Sequence, residues 1–195
     1  MELIGEKKEK LLECIDKNIN CFSLSGKVFN CKVVNVYDAD TCKVVFYLND
    51  ELVKYTLRLK SIDTPEMKPP SSDKNRKIQI KEAKRSRNRL IQLSTDCDLE
   101  LELDLSKSKI QNLINSNKKI IKIRCEEFDK YGRLLASLFS NDSNDSDKDL
   151  SFNEILIKEG YAYKYEGGTK KKFDYSKYLN DSIDTNIEND KNKKD

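Results

Sequence analysis

Histidine is absent from the chain, which removes the commonest general base, the Ser-His-Asp triad and imidazole metal sites together. Hydrolytic chemistry here has to run on carboxylates, Lys, Tyr and Arg. Three separated clusters carry such residues: Asp38-Ala39-Asp40-Thr41, then Arg58 with Asp63-Thr64-Pro65-Glu66, then Asp129-Lys130-Tyr131-Gly132-Arg133. Each alone has an ordinary structural reading, as an acidic turn, a helix start or a hairpin corner. Jointly they supply what phosphodiester hydrolysis needs. Two carboxylates offer hard oxygen ligands to calcium, which accepts about 6–8 oxygens in flexible geometry. Two arginines can grip a phosphate with planar donor forks, and a further carboxylate is left to activate water.

The elements that must position these clusters are mostly strands. From Lys27 to Lys60 the pattern is β: Cys42, Val44, Phe46 and Leu48 share one face, and Asn49-Asp50 supplies a hairpin turn. In the next strand Val53, Tyr55, Leu57 and Leu59 alternate with Lys54, Thr56, Arg58 and Lys60, so Arg58 projects from the face opposite the apolar one. Pro65, Pro69 and Pro70 then stop the sheet, and Ile80, Ala83, Leu90 and Ile91 recur at helical spacing in a basic helix. Leu99, Leu101, Leu103 and Leu105 alternate with Glu100, Glu102 and Asp104, which predicts a strand with one buried and one acidic face. Residues 106–119, polar with a few apolar positions, read as an insertion with one helical turn. Ile121, Ile123 and Cys125 resume the β alternation and lead through the Asp129–Arg133 corner into a strand over Leu134–Phe139. Ser151 with Glu154 is a capping-box signature for a short helix that Gly160 ends, with Phe152, Ile155 and Leu156 facing the core.

This pattern predicts an α+β chain, mainly β with helices: a five-stranded Greek-key barrel of the oligonucleotide-binding type. The expected organisation is an N-terminal extension over 1–23 with an amphipathic helix at 6–18, a domain over 24–180 with insertions at 106–119 and 140–148, and a disordered tail over 181–195.

Composition constrains partners less than distribution does. The 195 residues hold 37 basic and 34 acidic side chains, a net charge of only +3. Between Lys68 and Arg89, however, nine basic residues stand against two acidic ones, a local positive potential suited to a polyanion. The six cysteines form no Cys-x-x-Cys pair or zinc-ligand spacing, and several fall in apolar strand patterns as small hydrophobes. With no secretory signal pattern and no apolar run of about 20 residues, the expectation is an intracellular protein, cytoplasmic or nuclear, without a membrane partner.

In this combination and order the three clusters resemble the staphylococcal nuclease family, from about Lys27 to about Tyr165. The resemblance implies a five-stranded barrel with about three helices, the third near Phe173–Leu179. It also implies calcium-dependent hydrolysis of DNA or RNA that leaves 3′-phosphate ends. By motif position it assigns Asp40 and Asp63 as calcium carboxylates, with Thr64 adding its backbone carbonyl. Asp38 orients metal-bound water, Glu66 is the general base, and Arg58 and Arg133 hold the scissile phosphate. Tyr131 is expected to join the phosphate contacts; one or more of Tyr161, Tyr163 and Tyr165 is expected to stack on a base, although their spacing departs from the family's nucleotide-contacting pair; and the one-sided charge of the basic helix points to Lys84, Arg85 and Arg87 as substrate-binding. Ala39 departs from the family pattern, which commonly has glycine there. The expected protein is a monomer whose N-terminal extension can dock a protein partner. The competing reading is a catalytically inert nucleic-acid or protein binding module of the same fold.

Overall fold

The computed structural model describes residues 5–141 and 150–168. The helix expected near Phe173–Leu179, the 181–195 tail and most of the 140–148 linker lie outside the described residues. The chain begins with helix α1 (Glu6–Leu12) and a single 3-10 turn at Asp16–Asn18, shorter than the helix expected over 6–18. The Asn18 side chain takes the Ile15 N–H at 2.9 Å, which diverts the backbone from continuing as a helix. Leu11, Leu12 and Ile15 are exposed, so the apolar side of this segment stays largely open to solvent.

Strands β1 (Val28–Asp38), β2 (Thr41–Leu48) and β3 (Glu51–Leu59) follow as an antiparallel meander. Asn49 and Asp50 both have positive φ, 50° and 65°, the conformation of the two-residue hairpin turn that matches strand twist. The pairing of β1 with β2 slips after Val33 and again after Val36. Past the first of these bulges the buried positions run Val33, Val36 and then Ala39 in the turn, a spacing of three where regular alternation would give two. Next come β4 (Ile62–Asp63), helix α2 (Arg76–Ser94), helix α3 (Lys107–Ser116), β5 (Ile121–Phe128), β6 (Leu134–Ser140), helix α4 (Phe152–Lys158) and β7 (Tyr163–Lys164).

The five long strands close into a barrel in the order β1-β2-β3-β6-β5, while β4 and β7 form a separate pair. All barrel contacts are antiparallel except β3 with β6. This is the expected Greek-key barrel. Its interior is filled by Val44, Phe46, Leu57, Ile123, Leu134 and Leu138, and the helices cover it with Leu90, Ile91, Ile110, Ile114, Phe152 and Leu156. The buried Cys42 and Cys125 thiols are pushed up to about 12 and about 11, chiefly by desolvation, so they pack as small apolar groups. The capping box at Ser151 and Glu154 forms as expected. Gly160, at φ 81°, closes α4 with the Tyr161 N–H reaching back to the Leu156 carbonyl.

The expected strand over Leu99–Leu105 does not form. Asn88 of α2 donates its side-chain amide to the carbonyls of Glu100, Leu101 and Leu103 at 3.3, 3.0 and 2.9 Å, and Gln92 donates to that of Leu99 at 2.7 Å. These side chains take the acceptors that a neighbouring strand would have used. Only Leu99 of the four leucines is fully buried. Residues 106–119 differ too, since α3 has ten residues and its Ile110 and Ile114 join the core. Ser106 caps it by accepting from Lys109 N. Replacing Asn88, itself fully buried, by Ala strands several carbonyls at once. We expect a loss of about 3 kcal/mol in chemical denaturation, the upper end for unsatisfied buried polar groups. A change below about 0.5 kcal/mol, the level of ordinary surface substitutions, would show that the 99–105 segment is held by packing alone.

Candidate active site

The site grows from the turn between β1 and β2. Asp38 pairs with Thr41 across it, and Ala39 is fully buried beneath it. Ala39 is not among the residues with positive φ, so the turn has no need of the family's glycine. The Asp40 carbonyl accepts from Leu59 N at 2.8 Å, tying the turn to β3. There Arg58 stands opposite Thr41 on the outer face, as the alternation predicts.

Ser61, at φ 61°, reverses the chain after β3 so that β4 carries Asp63 back to Arg58. The guanidinium then bridges two carboxylates, with Nη1 2.6 Å from Asp40 Oδ2 and Nη2 3.1 Å from Asp63 Oδ1. Both acids are buried, as is Thr64. Thr41 Oγ1 donates to Asp40 Oδ1 at 2.9 Å. Tyr163 Oη donates to Asp63 Oδ2 at 2.6 Å, a contact made possible by the pairing of Asp63 with Tyr163 between β4 and β7. Sequence reasoning missed this link, because no local pattern connects positions 63 and 163. Glu66 lies on the loop three positions beyond Asp63 and is exposed.

These acids are crowded. Burial and then the negative charge of Asp38 raise the Asp40 carboxyl well above the ordinary carboxylate range, with Arg58 only partly offsetting them. Asp38 Oδ1 is itself buried without a hydrogen-bond partner. Among the described residues no group of three or more candidate ligands converges at metal-binding distance; Arg58 occupies the space between Asp40 and Asp63. The donor set nonetheless fits a hard divalent cation. It offers the buried carboxylates of Asp40 and Asp63, with buried Thr64 next in the chain, and the unpartnered Asp38 Oδ1 at the turn, oxygen groups of the kind calcium accepts beside water.

The second arginine comes from the turn between β5 and β6. Asp129 Oδ1 accepts from the backbone N–H groups of Tyr131 and Arg133, both at 2.9 Å, and Oδ2 accepts from Arg133 Nε at 2.7 Å. Burial alone would raise the Asp129 carboxyl, but these hydrogen bonds outweigh it and hold the group below the usual range. Gly132, at φ 75°, makes the turn possible. The Arg133 guanidinium lies 5.5 Å from the Tyr131 ring centroid, and its Nη groups have no hydrogen-bond partner among the described residues. Because β6 runs parallel to β3 with Leu135 opposite Arg58, both arginines line one cleft of about 560 Å³, with Tyr165 on its wall.

The basic helix is placed differently from the cluster. Lys84 pairs with Asp104 at 2.6 Å, Arg85 with Glu82 and Glu102 at 2.9 and 2.6 Å, and Arg89 with Glu159 at 2.6 Å. Glu102 and Asp104 of the 99–105 segment thus pair with Arg85 and Lys84 of α2. Arg87 is buried. None of Lys84, Arg85 and Arg87 lines the arginine cleft. Tyr163 is engaged by Asp63, whereas Tyr165 donates its hydroxyl to the Gly168 carbonyl and keeps its ring at the cleft.

A sequence model of the staphylococcal nuclease homologue family matches residues 56–191, most of the chain. The chain belongs to that family. The matched region holds Arg58, Asp63, Thr64, Glu66 and the Asp129–Arg133 turn, while Asp38 and Asp40 precede it and are brought in by the pairing of β2 with β3. No individual curated protein matches the chain. Family membership makes this a nuclease-type or nucleic-acid-binding domain. Among the described residues no helix is long and apolar enough to cross a membrane.

Proposed function

We propose that this staphylococcal nuclease homologue is a calcium-dependent phosphodiesterase that cuts DNA or RNA and leaves 3′-phosphate ends. The observation that carries the reading is the bridging of buried Asp40 and Asp63 by Arg58, with Arg133 lining the same cleft as Arg58. Asp40, Asp63 and the Thr64 carbonyl would hold the calcium, with Asp38 orienting water at its edge. When bound, calcium supplies Lewis-acid polarisation of a phosphate oxygen and neutralises the acidic cluster. Arg58 and Arg133 would donate to the equatorial oxygens as negative charge builds on them. Glu66 would take one proton of the attacking water, whose oxygen bonds to phosphorus as the bond to the 5′ oxygen breaks, and that oxygen leaves as a hydroxyl with a proton from solvent. Tyr131 and Tyr165 flank the strand at the cleft. The reading needs a single chain and no protein partner for α1.

The test is to incubate the purified protein with single- and double-stranded DNA and RNA, with calcium or with a chelator. We expect cleavage only with calcium, and loss of both calorimetric calcium binding and cleavage in Asp40→Asn. Magnesium should support little turnover, because its strict octahedral shell suits two carboxylates and a carbonyl less well. Full cleavage in excess chelator would end the calcium reading. A parent protein that binds nucleic acid and never cuts it would replace the enzyme by the inert binding module.

A further inference from the structure

A second cleft, of about 400 Å³, opens between β1, the loop after Glu66 and the first turn of α3. It carries three cationic side chains, Lys68, Arg87 and Lys107, and no acidic one. Arg87 is only 4% exposed. Its side chain makes two long hydrogen bonds, Nε and Nη2 to Asn88 Oδ1 at 3.4 and 3.2 Å, and it has no carboxylate at ion-pair distance among the described residues. Desolvation lowers its pKa, with Asp104 offsetting this only in part. That aspartate is held by Lys84. A guanidinium stays charged even there, so the burial of Arg87 is poorly compensated by the protein itself.

Its cleft-mates sharpen the point. Lys68 and Lys107 are exposed and have no ion-pair partner among the described residues, unlike Lys84, Arg85 and Arg89 on the same helix as Arg87. The walls include Val36, Tyr37 and Met67, apolar surface on which a flat ring can lie. Tyr37 is the residue that the second β1 bulge leaves without a partner in β2. The cleft also abuts the carboxylate site, since Tyr37 immediately precedes Asp38 and Met67 immediately follows Glu66, one Cα step of about 3.8 Å in each case.

We propose that this cleft is a nucleotide subsite that binds a phosphate of the substrate strand next to the bond being cut, through Arg87, Lys68 and Lys107, with the base against Tyr37 and Met67. The proposal rests on the nuclease reading and extends it to the side of the carboxylates away from the arginine cleft. It also separates Arg87 from Lys84 and Arg85, whose charges are spent within the protein. Because α3 supplies Lys107, the segment expected as a polar insertion becomes a part of substrate recognition.

The chain has two methionines, Met1 and Met67, so carbon-13 labelling of the methionine methyl groups gives a single reporter in this cleft. Adenosine 5′-monophosphate added in the presence of chelator should shift the Met67 methyl signal saturably. The double variant Lys68→Gln, Lys107→Gln, whose changes are both on the surface, should weaken that binding about tenfold, while Arg133→Gln in the other cleft should leave it intact. With single-stranded oligonucleotides the double variant should also bind more weakly. The dependence of log affinity on log salt should become shallower by about 0.7 for each phosphate that the protein no longer neutralises. A Met67 signal that ignores the nucleotide, or moves equally in parent and double variant, overturns the subsite. If the parent cuts nucleic acid but the double variant keeps its affinity and salt dependence, the subsite falls and the nuclease stands. If Met67 reports binding that the double variant loses while the parent never cuts, the nucleotide site stands and the nuclease falls.

Discussion

Arg58→Lys and Arg133→Lys should each lower single-turnover cleavage by about 10²- to 10³-fold, the range for losing one donor to a transition-state oxygen. Lysine keeps the charge and loses the planar fork, so ground-state affinity should change far less than turnover. The two variants should separate in stability. Arg58 spans two buried carboxylates with different nitrogens, which one ammonium cannot reproduce, so Arg58→Lys should also lower the melting temperature of the calcium-free protein. Arg133 is less buried, and Asp129 would keep the backbone donors of Tyr131 and Arg133 after the change, so Arg133→Lys should melt close to the parent. Single-turnover assays beside thermal melts check both statements. Equal loss of binding and cleavage in both variants would assign the arginines to plain electrostatic attraction.

Glu66→Gln should bind calcium and nucleic acid like the parent and cut about 10²- to 10⁴-fold more slowly, the usual contribution of a general base. Glutamine preserves shape and hydrogen-bonding capacity and cannot take a proton. Glu66 is exposed on a proline-flanked loop, and thermal melts beside the kinetics separate a loss of chemistry from a loss of fold. Cleavage within a few fold of the parent would move the base to another residue. Since the chain lacks histidine, the search would then turn to the remaining carboxylates beside the site, Asp38 first.

Signals that act within a few residues were legible in the sequence. Asn49 and Asp50 tolerate positive φ better than most residues, so their place between two alternating runs specified a hairpin. Alternation along β3 put Arg58 on the outer face, and Ser151 with Glu154 marked the start of α4. The order of the acidic and arginine clusters carried the family resemblance, and with it the candidate site residues.

What failed was decided across the fold. Leu99–Leu105 has the period of a strand, yet Asn88 and Gln92 on α2 claim its carbonyls, and hydrogen-bond competition from a distant helix leaves no trace in local periodicity. Charge in α2 read as one surface for a polyanion, but within it Lys84, Arg85 and Arg89 meet Asp104, Glu102 and Glu159; a one-dimensional count cannot say which charges will be neighbours. The same folding that pairs Lys84 and Arg85 with acids leaves Arg87 buried with no carboxylate at ion-pair distance among the described residues. Likewise Tyr163 reaches Asp63 across 100 positions only because two short strands pair. The sequence by itself thus determined the barrel, its local turns and the residue types available for chemistry, because those depend on steric and periodic preferences of neighbouring residues. Which charges are cancelled, which are buried, and which cleft each side chain lines were decided by the tertiary structure, because Coulombic and desolvation energies depend on distances and solvent exposure that exist only after the chain has closed.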